Sequence, residues 1–243
     1  MISALKAWVI LMLITAVSAG AASKLTLDVS DVKFGRVPQY SNFFRKIVFR
    51  AEGDDTVRIT DVNTYCDCLR LPMERKFIPP GDSMIVELVF SSGGNAGKSQ
   101  WRPHVYNDSK NHTIRFNVFA FPVIEVEGQK KIFVSPHTVN ASQFGDKVFR
   151  EFAIQIVNRT DEHVPLDLRY YDEEYFTIDF PVYVAPLDTA VGKVILNDRG
   201  VESEFEKSMT FEFINEDYEK ELYSIPVRRR IFKSPPGGQK TDK

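Results

Sequence analysis

Cysteine is nearly absent, with 2 in 243 residues. No disulfide framework of the kind that staples small secreted scaffolds can hold this chain together. Histidine is scarce too, and His104, His112, His137 and His163 are scattered. None stands in a Ser/His/Asp or H-E-x-x-H arrangement, so hydrogen-bonded or solvated histidines are expected rather than a hydrolytic centre. There is no G-x-G-x-x-G and no phosphate loop; S-G-G-N at Ser92 to Asn95 reads as a hairpin loop. Charge of one sign is lacking as well, with Lys+Arg 31 against Asp+Glu 33. That excludes the basic footprint of a nucleic-acid binder. The one basic cluster, Arg228 to Arg230, lies in the pattern of a last strand and reads as a solvated strand edge. The carboxylate run Asp172-Glu173-Glu174 lacks the spaced oxygen ligands of a calcium loop and reads as a solvated loop. Helix-type periodicity is scarce, whereas phenylalanine is abundant at 19 residues, which favours strands.

Long apolar runs are missing except at the start. Lys6 precedes an apolar stretch, Ala7 to Val17, followed by Ser18-Ala19-Gly20-Ala21-Ala22. A short positive region, an apolar core of about 7–15 residues and an A-x-A-like site describe a secretory leader. Residues 1–22 are therefore expected to be a cleaved signal peptide. The run is short of the roughly 20 apolar residues of a span, so no stable membrane span is expected after cleavage. The compartment implied is periplasmic or secreted, where disulfides are permitted. At the other end, residues 234–243 (S-P-P-G-G-Q-K-T-D-K) carry too little apolar surface to fold and are expected to be a disordered tail.

Between these ends the chain repeats itself. F-G-R-V at Phe34 to Val37 is followed by F-F-R-K-I-V-F-R-A at Phe43 to Ala51. F-G-D-K-V at Phe144 to Val148 is followed by F-A-I-Q-I-V-N-R-T at Phe152 to Thr160. I-V-F-R-A and I-V-N-R-T then fall in the same place. I-P-P-G-D-S-M-I-V-E-L-V-F, from Ile78, lines up with V-A-P-L-D-T-A-V-G-K-V-I-L, from Val184. Each half then ends in a run long enough for two more strands, Trp101 to Val123 and Ser208 to Phe232. The repeat of roughly 110 residues has the size of one domain. Two domains are expected, 25–124 and 131–233, with a polar boundary near Glu125 to Lys131.

Within each half apolar residues alternate at period two, as in Met84, Val86, Leu88 and Phe90 around an outward Glu87, and in Ile114, Phe116, Val118 and Ala120. Turn clusters separate the runs, among them E-G-D-D at Glu52 to Asp55, P-P-G-D at Pro79 to Asp82 and N-D-S-K-N at Asn107 to Asn111. The fold class expected is all-β, as two tandem immunoglobulin-like antiparallel sandwiches. The Cys…Trp…Cys pattern of antibody domains is missing, so the sandwich is of another kind.

Several spaced motifs occur in order in the first half. They are Phe34-Gly35-Arg36-Val37, then Ile59 through Val62 to Cys66 and Cys68, then Ile78-Pro79-Pro80-Gly81, then Gly97-Lys98. In this, Leu27 to Val123 resembles the bacterial domain of unknown function 1573 family. The resemblance implies an immunoglobulin-like sandwich related to hydin-type and major-sperm-protein-like domains, which mostly serve as interaction modules. Phe34, Gly35, Pro80 and Gly81 are the structural motif it singles out. This chain has Asp67 where the family usually has glycine between the cysteines. The second half keeps the architecture without the cysteines, placing Tyr170 to Glu174 where the first has Tyr65 to Cys68.

The pair Cys66 and Cys68 admits three readings. A disulfide needs a turn, because residues i and i+2 of an extended strand lie roughly 6.5 Å apart, near the limit for a bridge. Such a small ring gains little from loop closure, and an exposed bridge is open to exchange. Two thiolates are also half of a soft copper or zinc site, to be completed by Met73, Met84, His104 or His112. Or the two simply pack at a strand end. No cofactor is expected. Asn107, Asn111, Asn140 and Asn158 each open an N-x-[ST] triplet, read as coincidence given the bacterial resemblance. The function expected is a non-enzymatic binding or scaffold module of the cell envelope, with other envelope or secreted proteins as partners. The alternative is a thiol-redox or soft-metal protein centred on Cys66 and Cys68.

Overall fold

The computed structural model describes residues 22–94, 96–124, 130–214 and 220–232. The expected leader, most of the boundary and the expected tail lie outside them. The chain is almost entirely β. The single helix among the described residues, Asp198–Glu202, is capped by the Asn197 side chain accepting from the Gly200 amide.

Two hydrophobic cores form. The first gathers residues from Leu25 to Ala120 around Phe34, Phe43, Phe49, Phe90 and Phe116. The second gathers residues from Ile132 to Val227 around Phe176, Phe205, Phe211 and Phe213. Each lies between two sheets, because period-two alternation puts one face of every strand inward. Met84, Val86, Leu88 and Phe90 are all buried, as the alternation requires.

The spatial order of strands is the same in both halves. In the first, one sheet runs Lys24–Leu27, Asn42–Glu52, Ser83–Ser91, Leu69–Arg70; in the second, Ile132–Ser135, Glu151–Asn158, Thr189–Leu196, Phe176–Asp179. Most pairs are antiparallel. Parallel pairs occur where each half's opening strand meets its closing strand, Asp31–Pro38 with Asn117–Val123 and Val139–Asn140 with Lys220–Arg229. Even numbers of chain reversals between those strands leave them running the same way.

Hydrogen bonds also set the equivalence residue by residue. Ala51 donates its amide to the Asp82 carbonyl at 3.1 Å, and Asn158 to that of Asp188 at 2.8 Å. Along the ladder Ala51 thus corresponds to Asn158, whereas at the turn the Ala51 carbonyl accepts from the Gly81 amide as the Thr160 carbonyl accepts from the Leu187 amide, the match that the aligned I-V-F-R-A and I-V-N-R-T imply. The slip is two residues, the period of a strand, so every side chain keeps its face and the apolar pattern matches either way. The P-P-G-D and A-P-L-D turns do coincide: Asp82 and Asp188 each accept the amide of the next residue, at 2.7 Å in both.

The halves join edge to edge. A parallel bridge between Arg36 and Tyr223 links Asp31–Pro38 to Lys220–Arg229 and makes one continuous sheet of eight strands. Arg228 to Arg230 is not simply a solvated edge: Arg229 is 1% exposed. Alternation turns the middle arginine inward, where its guanidinium donates to the carbonyls of Ala141 and Val201 and to Gln143 Oε1.

Candidate binding surfaces

The Cys-Asp-Cys segment connects Val57–Asn63 to the edge strand Leu69–Arg70. Tyr65 adopts φ +57°, and the Leu69 amide donates to the Cys66 carbonyl, closing a turn. The turn brings the two Cα atoms to 5.1 Å and the sulfurs are bonded. That turn is the local geometry the disulfide reading requires. Both cysteines are half-buried, and Cys68 packs on the first core. Met73 also packs on that core rather than standing free as a ligand. His104 opens the strand His104–Asn107, its Nδ1 3.0 Å from the Tyr65 hydroxyl and 3.3 Å from that of Tyr106. Partial burial, with Arg115 and Arg102 nearby, holds the His104 pKa below its ordinary value. Among the described residues no three His, Cys, Asp or Glu side chains are grouped to hold a metal ion.

The motif residues are accounted for by geometry. Gly35 sits at φ +69°, and a Cβ there would overlap the Leu222 carbonyl and side chain. Phe34 is fully buried, and its carbonyl accepts from Ser224 Oγ at 2.6 Å. F-G is therefore the seat on which the second half rests. Pro80 and Gly81 are the central residues of a turn closed by the Asp82 amide on the Pro79 carbonyl, with Gly81 at φ +70°.

The counterpart of the disulfide turn lies in the junction of the halves: strand pairing sets Asp172 to Tyr175 where Tyr65 to Cys68 stand, two residues beyond the aligned Tyr170 to Glu174. Asp172 is 4% exposed, not a solvated loop residue. Its Oδ1 is 2.8 Å from Lys46 Nζ, and its Oδ2 is 3.5 Å from Lys207 Nζ. Lys46 also reaches Glu174 at 3.0 Å, and Lys207 pairs with Glu87. Partial burial pulls the Lys46 pKa down, but hydrogen bonds to Asp172 and Glu174 outweigh it and raise the value above normal. Arg45 lies 3.9 Å from the Tyr170 ring centroid and 5.8 Å from that of Phe34. Burial lowers its pKa to about 10, which leaves it charged at neutral pH.

Beside this junction the outer face of Asp31–Pro38 and Asn117–Val123 meets the start of Lys220–Arg229. A cleft of about 630 Å³ results. Phe119 and Phe121 form its floor, and Lys33, Lys98, Lys130 and Lys220 stand around it. With Arg36 that makes five cations in the lining against the carboxylates of Asp31 and Glu221. Glu221 is 3.4 Å from Arg36, and Lys220 is 3.1 Å from Glu212. The sequence reading missed these lysines because they come from four distant segments of an evenly charged chain. The only local signal was the alternation that puts Lys33, Phe119 and Phe121 outward.

The fold is that of an all-β protein built of immunoglobulin-like sandwiches. Residues 25–121 match the model of a family described as protein of unknown function (DUF1573), so the resemblance carried by the F-G, C-x-C and P-G motifs holds for that segment. No curated protein matches the chain. Similar solved structures include the ASH/PapD-like domain of human CEP192 (PapD-like domain 7), 11% identical, covering 43% of this chain and 89% of that one, TM-score 0.39. A protein of unknown function from Porphyromonas gingivalis W83 is 12% identical over 85% of this chain and 99% of its own, TM-score 0.36. The E. coli chaperone DraB is 11% identical over 83% and 97%, TM-score 0.32. Among the described residues no helix is long and apolar enough to cross a membrane.

Proposed function

We propose that the chain is a non-enzymatic binding or scaffold module of the cell envelope, periplasmic or secreted after removal of residues 1–22. It consists of two copies of one sandwich, 25–124 and 131–233, and its partner is another envelope or secreted protein. The matched strand orders support the two-copy reading. The observation that carries the binding reading is the junction cleft. An ion-paired joint holds an aromatic floor among five cations, and that surface suits an acidic segment carrying an apolar side chain.

The test is chemical cross-linking in the native envelope, comparing wild type with Lys33→Glu/Lys98→Glu. A partner captured by wild type and by Cys68→Ser, but lost on charge reversal and at high salt, supports the reading. A capture profile unchanged by the reversal sinks the cleft as its site.

A second reading is thiol–disulfide exchange at Cys66–Cys68. It is favoured by the position of the bridge in a half-exposed turn whose counterpart, Asp172 to Tyr175, folds without cysteine. A free-thiol count on protein from its own compartment, with the phenotype of Cys68→Ser, tests it. Fully oxidised protein and a silent mutant remove it.

A further inference from the structure

We infer that the far end of the second unit docks the disulfide-bearing end of the first unit in another copy of this chain, so that copies associate head to tail. This rests on the two-copy reading above.

In each half the first strand is short and covers only part of the next one. Lys24–Leu27 pairs with Phe49 to Glu52 of Asn42–Glu52, and Ile132–Ser135 pairs with Gln155 to Asn158 of Glu151–Asn158. The upstream edge of the longer strand is left open, and an open edge is a template for docking. In the first unit that edge is where the second unit sits. Ser208 Oγ accepts from the Phe44 amide at 3.0 Å and donates to the Phe44 carbonyl at 3.1 Å, and the Tyr170 hydroxyl accepts from the Lys46 amide at 3.0 Å.

The second unit repeats the open edge, since residues 151–154 are not covered by Ile132–Ser135. It does not repeat the F-G pair: strand pairing sets Val139 where Val32 stands, so Ala141, not Phe144, takes the place of Phe34. Around that edge Phe144 is 69%, Phe149 54% and Phe232 52% exposed. Phe144 and Phe232 stack at 5.0 Å. Exposed aromatics gathered near an open strand edge mark an interface.

The repeat also identifies what fits there. Strand pairing equates Tyr170 with Asn63 and Thr210 with His104, since Asn63 faces His104 as Tyr170 faces Thr210. Carrying the junction's contacts through this equivalence yields the contacts of a head-to-tail pair. Lys46 with Asp172 becomes Ala153 with Tyr65, an ion pair replaced on both sides at once by apolar and aromatic groups. Arg45 with Thr210 becomes Phe152 with His104. Phe44 with Ser208 becomes Glu151 with Arg102, which are of opposite charge. Glu87 with Lys207 becomes Lys193 with Trp101, a cation beside an aromatic ring. These four pairs bring no like charges together. Tyr65, 61% exposed and edge-on to His104 at 5.0 Å, is the protruding group of the head. Because head and tail are different surfaces, the contact is heterologous and propagates into open chains or rings.

Sedimentation velocity on the purified protein across a concentration series tests this, with Phe149→Asp on the tail and Tyr65→Asp on the head. Both sites are exposed, and aspartate tolerates the left-handed backbone at position 65. Unchanged thermal melts verify that the variants fold. Wild type is expected to associate with concentration, each variant to associate at least about tenfold more weakly, and the two variants mixed to form a one-to-one dimer through their remaining intact faces. The charge swap Arg102→Glu with Glu151→Arg in one chain should restore what either reversal alone weakens. Wild type that stays monomeric throughout overturns the inference, as does either aspartate variant associating like wild type, or a mixture that stays monomeric. Monomeric protein that still loses its cleft partner on lysine reversal removes the end-to-end docking alone. An experimental structure with different strand orders in the two halves removes the two-copy reading with it.

Discussion

Single residues carry two distinct duties here, and substitution separates them. Gly35 combines a left-handed backbone with a missing Cβ under the Leu222 carbonyl. Gly35→Ala is expected to cost about 2–4 kcal/mol, from αL strain plus overpacking; urea unfolding at equilibrium measures it. Cys68→Ser, by contrast, opens a ring of three residues. Loop closure so short is worth under about 2 kcal/mol, so the same measurement should give a small loss and an unchanged far-ultraviolet spectrum. A loss as large as that of Gly35→Ala would make the bridge a structural requirement. At this scale the sequence was partly legible. F-G and C-x-C stood out as motifs, but the neighbour that makes Gly35 obligatory lies 187 positions later, at Leu222, beyond any local pattern.

Strands and turns were the most legible elements. Period two declares which face is buried, and Asp82-Ser83 and Asp188-Thr189 mark the same turn in both halves. One difference between the turns is testable. Gly81 sits at φ +70°, and its counterpart Leu187 holds φ +53° with its side chain 75% exposed. Leu187→Gly removes a left-handed strain of about 1 kcal/mol and no buried contact, so thermal unfolding should show higher stability. No gain in midpoint would mean the Leu187 side chain packs usefully. Less legible were residues whose role needs a second element. Asp172, in a run of three acids, gave no local sign of burial, because its partners Lys46 and Lys207 stand on other strands. Arg229 likewise hides in a basic triplet.

For the whole molecule the junction is the controlling feature. Asp172 is a nearly buried charge answered by two lysines, so Asp172→Ala removes the carboxylate they share and leaves Lys46 with Glu174 and Lys207 with Glu87. With those partners left, the loss is expected at about 1–2 kcal/mol, below that of a fully buried pair, and calorimetry is expected to resolve two transitions in the variant against one coupled transition in wild type. A single unshifted transition would show that the halves are held by packing alone. The pH sign follows from Lys46. Its pKa is raised in the folded state, so its contribution is complete below the unfolded value of about 10.4 and is lost as pH rises beyond it. Neutral or mildly acidic pH should leave the joint intact, which melting curves between pH 6 and 11 would check.

The amino-acid order determined the strands, their inward faces and the turns, because alternation and turn chemistry are properties of neighbours in the chain. Which ends of the two copies meet, why the glycine after Phe34 is indispensable, that an acid and an arginine go inside, and that scattered lysines surround one cleft were decided only by tertiary structure. Those features are contacts between segments far apart in the chain, and the free energy of burying a charge or filling a seat exists only once both sides are in place.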